Sequence, residues 1–590
     1  MGKREVKSAY FCAEFGIEGL PFGGGLGILS GDFIKSGADL GYNVIGVGYL
    51  YRRRFHQKLH PDGWQEDTQS VFDPTGKLDY KPTDVTIPVN SKQVRLGAWE
   101  LPIIGETGHV VPLYLVDPNG NNDSSQSDEV CSFLYPSSQQ PYDRLAQEQV
   151  LGTGGVKILK ALGHGDIDVC HMNEGHVALA GLETLREYGS LEEARRHLVF
   201  TTHTPVPAGI DHFPRDLAEL VLRECLPSLG YMKELTGADE LNMARLAMSL
   251  SGQAFGVSPL HAAVSRYKFS DFPNMYRLYS IDNGVHLQTW VSPEVSELYD
   301  QLTHKQWRLH PETLERILEL SDEQVINAHN ASRDKLGYFL QNNPRAKNQG
   351  ATYDPNKLTI GFARRFATYK QATLIFEQID RLRRLGNDIQ IVFAGKAHPS
   401  DVPGKEVIKE VFRYMKELQG QVSIWFIEDY DRKVAKYMVR GADVWLNNPE
   451  RLLEASGTSG MKAAPNFVPQ LSILDGWSVP QEPAKGYRLP KGLIEGVTGW
   501  SIGRAPTQED FMLLNGDHHA HLKRQEDRAE DAASLYSKLE HLADFRKDRK
   551  AFAQVMKRAA AHNAPWFNTH RVARQYLEVY NALLEDRIAA

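Results

Sequence analysis

Short apolar runs, each bounded by Gly, Asp or Asn, recur along the chain: VKSAYF (6–11), NVIGVG (43–48), VVPLYLV (110–116) and HLVFTT (197–202), then KLTIGF (357–362), DIQIVFA (388–394), VSIWF (422–426) and DVWL (443–446). These predict strands. Between the later runs lie amphipathic segments of helix length, QATLIFEQIDRLRRLG (371–386) and GKEVIKEVFRYMKELQG (404–420). The resulting β-α-β-α rhythm predicts a doubly wound, Rossmann-like α/β sheet over about 350 to 480. The first half shows the same alternation with longer insertions. Its polar stretch DPNGNNDSSQSDE (117–129) reads as a loop, or as a partly disordered segment. Strand-like sequence gives way to helical, charged sequence after IDNGVHLQTW (281–290), placing a domain junction near 290. The last segment, 570–590, predicts a helix with Val572, Tyr576, Leu577, Tyr580 and Leu583 on one face.

At 590 residues the chain exceeds one hydrophobic core and implies roughly two to four domains. A net charge of −7 supplies no basic surface for phosphate backbones, so nucleic acid is excluded as the expected partner. Cys12, Cys131, Cys170 and Cys225 show no CxxC and no zinc spacing, which predicts reduced buried thiols and a cytoplasmic location. The opening residues carry no apolar h-region, and no run reaches the ~18 apolar residues of a membrane span, so neither secretion nor membrane insertion is expected. His518, His519 and His521 in GDHHAHLKR are the one metal candidate, read as a surface segment; no metal is expected.

Ligands of open α/β sheets bind beyond the carboxyl ends of strands, so polar loops after strands carry the candidate chemistry. Three stand out. PFGGGLGILSGD (21–32) lacks the third Rossmann glycine, since Ser30 stands there; alone it reads equally as a tight turn or an anion cradle. GFARRFATYK (361–370) brings Arg364, Arg365 and Lys370 to a strand's end, as an oxyanion grip or as a solvated basic turn. LLEASGTSGMKAAPN (452–466) sets Gly457, Thr458 and Ser459 at a helix start, with Lys462 one turn on. That arrangement suits a phosphate cradle with a lysine holding an aldehyde cofactor, or a plain N-cap followed by an exposed lysine.

EASGTSGMK resembles the pyridoxal-phosphate attachment signature of the α-glucan phosphorylases, the glycogen, starch and maltodextrin phosphorylase family. YFCAEFGIEGLPFGGGLGILSGD (10–32), YRRRFHQKLHPDGWQED (51–67), HMNEGHVAL (171–179), TTHTP (201–205), IDNGVHLQTW, RRFATYK, IEDYDRKVAKYMVRGADVWLNNP (427–449) and WFNTHRVARQYLEVY (566–580) follow in the family's order, over nearly the whole chain. The match is to the shorter prokaryotic type. It implies two facing Rossmann-like domains (a GT-B arrangement) with the catalytic cleft between them. The N-terminal domain, 1–290, would carry the glycine loop and the glucan side. The C-terminal domain, 291–565, would carry cofactor and phosphate, and a last helix, 566–590, would pack back on the first domain.

The resemblance further implies a role for each residue. Lys462 would bind pyridoxal 5′-phosphate, with Gly457, Thr458 and Arg364 around the cofactor phosphate and Tyr430 near its ring. Arg365 and Lys370 would grip inorganic phosphate, with amides of Gly24 and Gly25. Glu454, Ser456, Tyr369, Asn283 and His203 would hold the transferred glucose, His176 would line the sugar path, and Glu14 would have a supporting role. The implied reaction is phosphorolysis of an α-1,4-glucan to α-glucose 1-phosphate with retention, in which the cofactor works through its phosphate. The family often forms homodimers. Three departures bear on the cofactor loop: Pro465 three residues past the lysine, Leu452-Leu453, and Asn466-Phe467. The rival expectations are a sugar-nucleotide-dependent glucan synthase of the same fold, which would not need EASGTSGMK, and a catalytically silent glucan-binding relative.

Overall fold

A computed structural model describes residues 5–118, 133–134, 141–204, 209–223, 225, 229–515 and 518–589. The loop reading for 117–129 and Cys131 fall largely outside these residues. The chain divides into two compact units: 1–55 with 69–282 and 569–590, and 56–68 with 283–568. Relative to the expected segments 1–290, 291–565 and 566–590, residues 56–68, 283–290 and 566–568 fall in the second unit.

The first unit is built on nine strands: β1 (Ser8–Phe11), β2 (Val44–Tyr49), β3 (Asp79–Lys81), β4 (Gly97–Ile104), β5 (Val110–Asp117), β6 (Val169–Asn173), β7 (Leu198–Thr201), β8 (Gln253–Gly256) and β9 (Leu278–Ser280). They lie in the order β9-β8-β7-β6-β1-β2-β5-β4-β3. β9 through β5 run parallel, while β4 pairs antiparallel with β5 and with β3. Both faces of β1, β2 and β6 are buried; β1 and β2 accordingly read as apolar runs, whereas β6, VCHMN, buries His171 and Asn173 among its apolar residues. The helix Thr569–Ala589 buries Val572, Tyr576, Tyr580 and Leu583, the face expected from its spacing, with Leu577 packed at the edge of the same cluster. His171 pins this helix to the sheet: its ring hydrogen-bonds Tyr580 Oη at 2.6 Å and Thr201 Oγ1 at 2.8 Å, and Thr201 meets Tyr576 Oη at 2.7 Å.

The second unit holds β10 (Ala346–Asn348), β11 (Leu358–Ala363), β12 (Ile389–Ala394), β13 (Ser423–Ile427), β14 (Val444–Asn447), β15 (Gln470–Ile473) and β16 (Gly499–Ile502), in the order β10-β13-β12-β11-β14-β15-β16. All pairs are parallel except β10 with β13. The helix Val402–Glu417 covers the segment expected at 404–420. The segment 371–386 is not one helix: a 3₁₀ turn at Leu374–Phe376 precedes a short helix, Ile379–Leu385. Gln371 stands at φ +48, and Leu374, Ile375 and Phe376 are all buried, so packing rather than helical period places them. The fold is α/β throughout. No helix among the described residues is long and apolar enough to cross a membrane.

Candidate functional site

In the second unit the loop after β14 turns into the helix Thr458–Ala463 through Gly457, whose φ of +86° is the left-handed region that favours glycine. The helix is short because Pro465 follows. It lies in a 3₁₀ turn, Ala464–Asn466, just beyond the last helical residue, so its missing N–H breaks no helical hydrogen bond. Asn466 fastens the end of this helix: its Oδ1 accepts from Ser292 N–H at 2.8 Å, while Nδ2 donates to Trp290 O at 3.1 Å and Lys462 O at 2.9 Å. Tyr299 donates to Pro465 O at 2.6 Å. These bonds seat Lys462, only 7% exposed, with its Nζ 4.4 Å from the centroid of the fully buried Trp290 ring.

The basic loop after β11 separates its two arginines. Arg364 and Lys370 are buried and both donate to Glu454 Oε2, while Arg365 is exposed. Lys370 Nζ also lies 4.4 Å from the ring centroid of the half-buried Tyr369. Burial works against the charge of Glu454, but Arg364 and Lys370 outweigh it and hold the carboxyl down at about 2. Behind Glu454 stands Asp475, which sequence reasoning missed although a DG pair closing a strand is a turn signal. Its Oδ2 accepts Glu454 N–H at 3.0 Å and its Oδ1 accepts Gly476 N–H at 2.8 Å. Trp477 N–H donates to Ser456 O at 3.0 Å, so the turn after β15 shapes the backbone of 454–456. Burial, reinforced by the charge of Glu454, raises Asp475 to about 8, so it adds little negative charge near neutrality. Two cations then face one carboxylate, and the cluster keeps a net positive charge. Arg364 Nη1 and Ser456 Oγ are buried without a hydrogen-bond partner among the described residues. Asn283 is buried, and Tyr430 is half-buried in the loop between β13 and the helix Arg432–Gly441.

In the first unit Glu14, buried beside the glycine loop, takes two of its amides: Oε2 accepts Gly23 N–H at 2.5 Å and Gly24 N–H at 3.2 Å. Two of the loop's amides thus already have a carboxyl partner within the chain, and Gly25 opens the following helix, Gly25–Asp39. His176 and His203 sit beyond β6 and β7. His176 Nε2 accepts Ala13 N–H at 2.9 Å, and His203 Nε2 lies 2.7 Å from Asn173 Oδ1. Burial lowers both imidazoles to about 3, so both are neutral. Glu174, held at φ +82°, accepts from Gly175 N–H at 2.8 Å, His203 N–H at 2.7 Å and Thr204 Oγ1 at 3.0 Å. Asn173 and Glu174 were legible only as letters inside HMNEGH. Among the described residues no group of three or more His, Cys, Asp or Glu could hold a metal, and the side chains of His518, His519 and His521 lie outside them.

Each unit by itself places candidate ligand groups beyond the carboxyl ends of its parallel strands, neutral histidines in the first and buried cations in the second. The family model for carbohydrate phosphorylase matches residues 228–483. A maltodextrin phosphorylase of Thermococcus litoralis is 34% identical over 639 residues, covering 99% of this chain and 72% of the relative. A glycogen phosphorylase of Mycobacterium tuberculosis is 34% identical over 644 residues (97% and 70%), and one of Aquifex aeolicus 32% over 643 residues (98% and 86%). The chain belongs to the carbohydrate phosphorylase family, among the α-glucan phosphorylases of prokaryotic type, as the resemblance of its motifs indicated.

Proposed function

We propose that this enzyme catalyses reversible phosphorolysis of an α-1,4-glucan, with the two units as the Rossmann-like lobes of a GT-B enzyme. Orthophosphate takes the non-reducing terminal glucose: the C1–O4 bond breaks, the leaving oxygen takes a proton, and a C1–O–P bond forms with retention. The observation that carries the reading is the net positive, buried Arg364–Lys370–Glu454 cluster at the end of β11, with an open guanidinium N–H.

Pyridoxal 5′-phosphate is the proposed cofactor, and the residues present fit it. Lys462 is buried against the flat face of Trp290, and Arg364 Nη1 and Ser456 Oγ supply unfilled donors near the start of the lysine's helix. Lys462 would anchor it, Gly457, Thr458 and Arg364 would hold its phosphate, and Tyr430 would flank its ring. When bound, the cofactor supplies a second ionisable phosphate beside the substrate phosphate. Lys370 and Arg365 bind orthophosphate in this reading, with Gly25 and, where Glu14 yields it, Gly24 adding amides. Glu454, Ser456, Tyr369, Asn283 and His203 hold glucose hydroxyls, and His176 the adjoining sugar. Asp475 keeps Glu454 in place while adding little negative charge near neutrality. A cytoplasmic location accords with Cys12, Cys170 and Cys225, all buried free thiols.

The test is phosphate-dependent release of glucose 1-phosphate from maltodextrins of graded length, with protein stripped of chromophore as control. Release that needs both phosphate and the reconstituted chromophore supports the reading. No release, or equal release by stripped protein, overturns it, and sugar-nucleotide-dependent chain extension would put a synthase in its place.

A further inference from the structure

We propose that Asn173 is a positioning residue that holds His203 as its neutral Nε2–H tautomer, leaving the Nδ1 lone pair to accept from a glucose hydroxyl. His176 beside it is locked in the opposite tautomer. The inference rests on the glucose-binding role proposed for His203.

Asn173 is the last residue of β6 and is buried. Its Nδ2 faces two acceptors, Ser30 Oγ at 3.1 Å and Cys12 Sγ at 3.4 Å. Ser30 directs its own hydroxyl to Leu26 O or to Cys12 Sγ, each 3.0 Å away, so its oxygen remains to accept. The amide nitrogen therefore belongs on that side and Oδ1 on the side of His203, 2.7 Å from Nε2. A carbonyl oxygen accepts only, so Nε2 carries the proton. Burial bars a second proton, and Nδ1 is left bare; among the described residues no hydrogen bond engages it. From the other side Glu174 clamps the main-chain N–H of His203 at 2.7 Å. Backbone and ring edge are thus fixed independently.

His176 shows the converse. The backbone N–H of Ala13 donates to its Nε2 at 2.9 Å, which requires a lone pair there and puts the proton on Nδ1. One ring presents an acceptor and its neighbour a donor. A sugar hydroxyl can be either, so one that meets His203 Nδ1 must donate and one that meets His176 Nδ1–H accepts. Among the described residues, the titratable groups facing His203 are Glu174, through the backbone, and the rings of His171, His176 and His261.

Long-range ¹H–¹⁵N spectra of histidine-labelled holoenzyme read the tautomer directly. The expected wild-type signature is neutral Nε2–H at His203 and neutral Nδ1–H at His176 between about pH 5 and 8. Asn173→Asp places a carboxylate on Nε2–H, so His203 gains a protonation step in that range, and kcat/KM gains an acid limb of about tenfold per pH unit that wild type lacks. Asn173→Ala lowers kcat/KM without adding a limb. Nδ1–H at His203 in wild type, or an Asn173→Asp enzyme with the wild-type pH profile and a neutral His203, overturns the proposal. Should a variant fail to fold, the wild-type spectrum alone decides. Absence of phosphorolysis in wild type would sink the functional reading instead, while the tautomer assignment stands or falls on the spectra.

Discussion

Glu454 in the second unit and His176 in the first are both largely withdrawn from water, yet the carboxyl keeps its charge and the imidazole does not acquire one. Desolvation is the largest influence on each. It is outweighed at Glu454 because two cations donate to the same oxygen. His176 meets a backbone N–H that needs its lone pair, and the nearby Arg144 adds to the penalty. Burial alone therefore does not set the charge of a site. The choice of partner does, and in the function proposed above one choice serves a site for anions and the other a site for neutral hydroxyls.

The widest break in this contrast comes from the cofactor side. Lys462→Ala is expected to cut phosphorolysis by about 10³-fold or more, read as initial rates of glucose 1-phosphate release with reconstituted enzyme. Glu454→Ala leaves Arg364 and Lys370 buried without their shared counter-charge and should cost about 3–5 kcal/mol in denaturant unfolding. Replacing His176 by Gln, which can still accept from Ala13 N–H, should cost well under half of that if the neutral cluster lacks buried charge. Equal losses at the two positions would erase the distinction.

pH sharpens the comparison. Asp475 is raised from the ordinary carboxyl range to about 8, so the folded chain binds more protons there than the unfolded one, and stability falls as pH rises from about 4 to 8. Glu454 is depressed to about 2, so its contribution is complete above about 4.5 and is lost as pH falls toward 2. Asp475→Asn should remove the alkaline loss and keep the acid one, seen as a flatter Tm profile above about pH 4. The smallest effect is Gly457→Ala, expected to cost about 1 kcal/mol for a side chain at φ +86°.

Much of the scaffold was legible because its strands are buried on both faces and write themselves as apolar runs. The segment 371–386 was not, since Gln371 takes a positive φ and buried Leu374, Ile375 and Phe376 answer to packing instead of to a 3.6-residue period. In the candidate site, the basic loop and the EASGTSGMK loop were each visible as strings. That Glu454 would join Lys370 across 84 residues, and that Arg365 would be left outside while Arg364 was buried, was not. Periodicity reports which side of an element is apolar, not which distant carboxylate will neutralise a lysine. Nor was it visible that two amides of the glycine loop would already donate to Glu14.

By itself the sequence determined what is local and chemical: the α/β class, the strand runs, the glycine that bends into the lysine's helix, and the family signature that names the expected chemistry. Tertiary structure decided every charge state. Whether a carboxyl ionises or an imidazole stays neutral depends on solvent exclusion and on partners that topology alone brings within hydrogen-bond reach, and neither quantity is written in any one stretch of the chain.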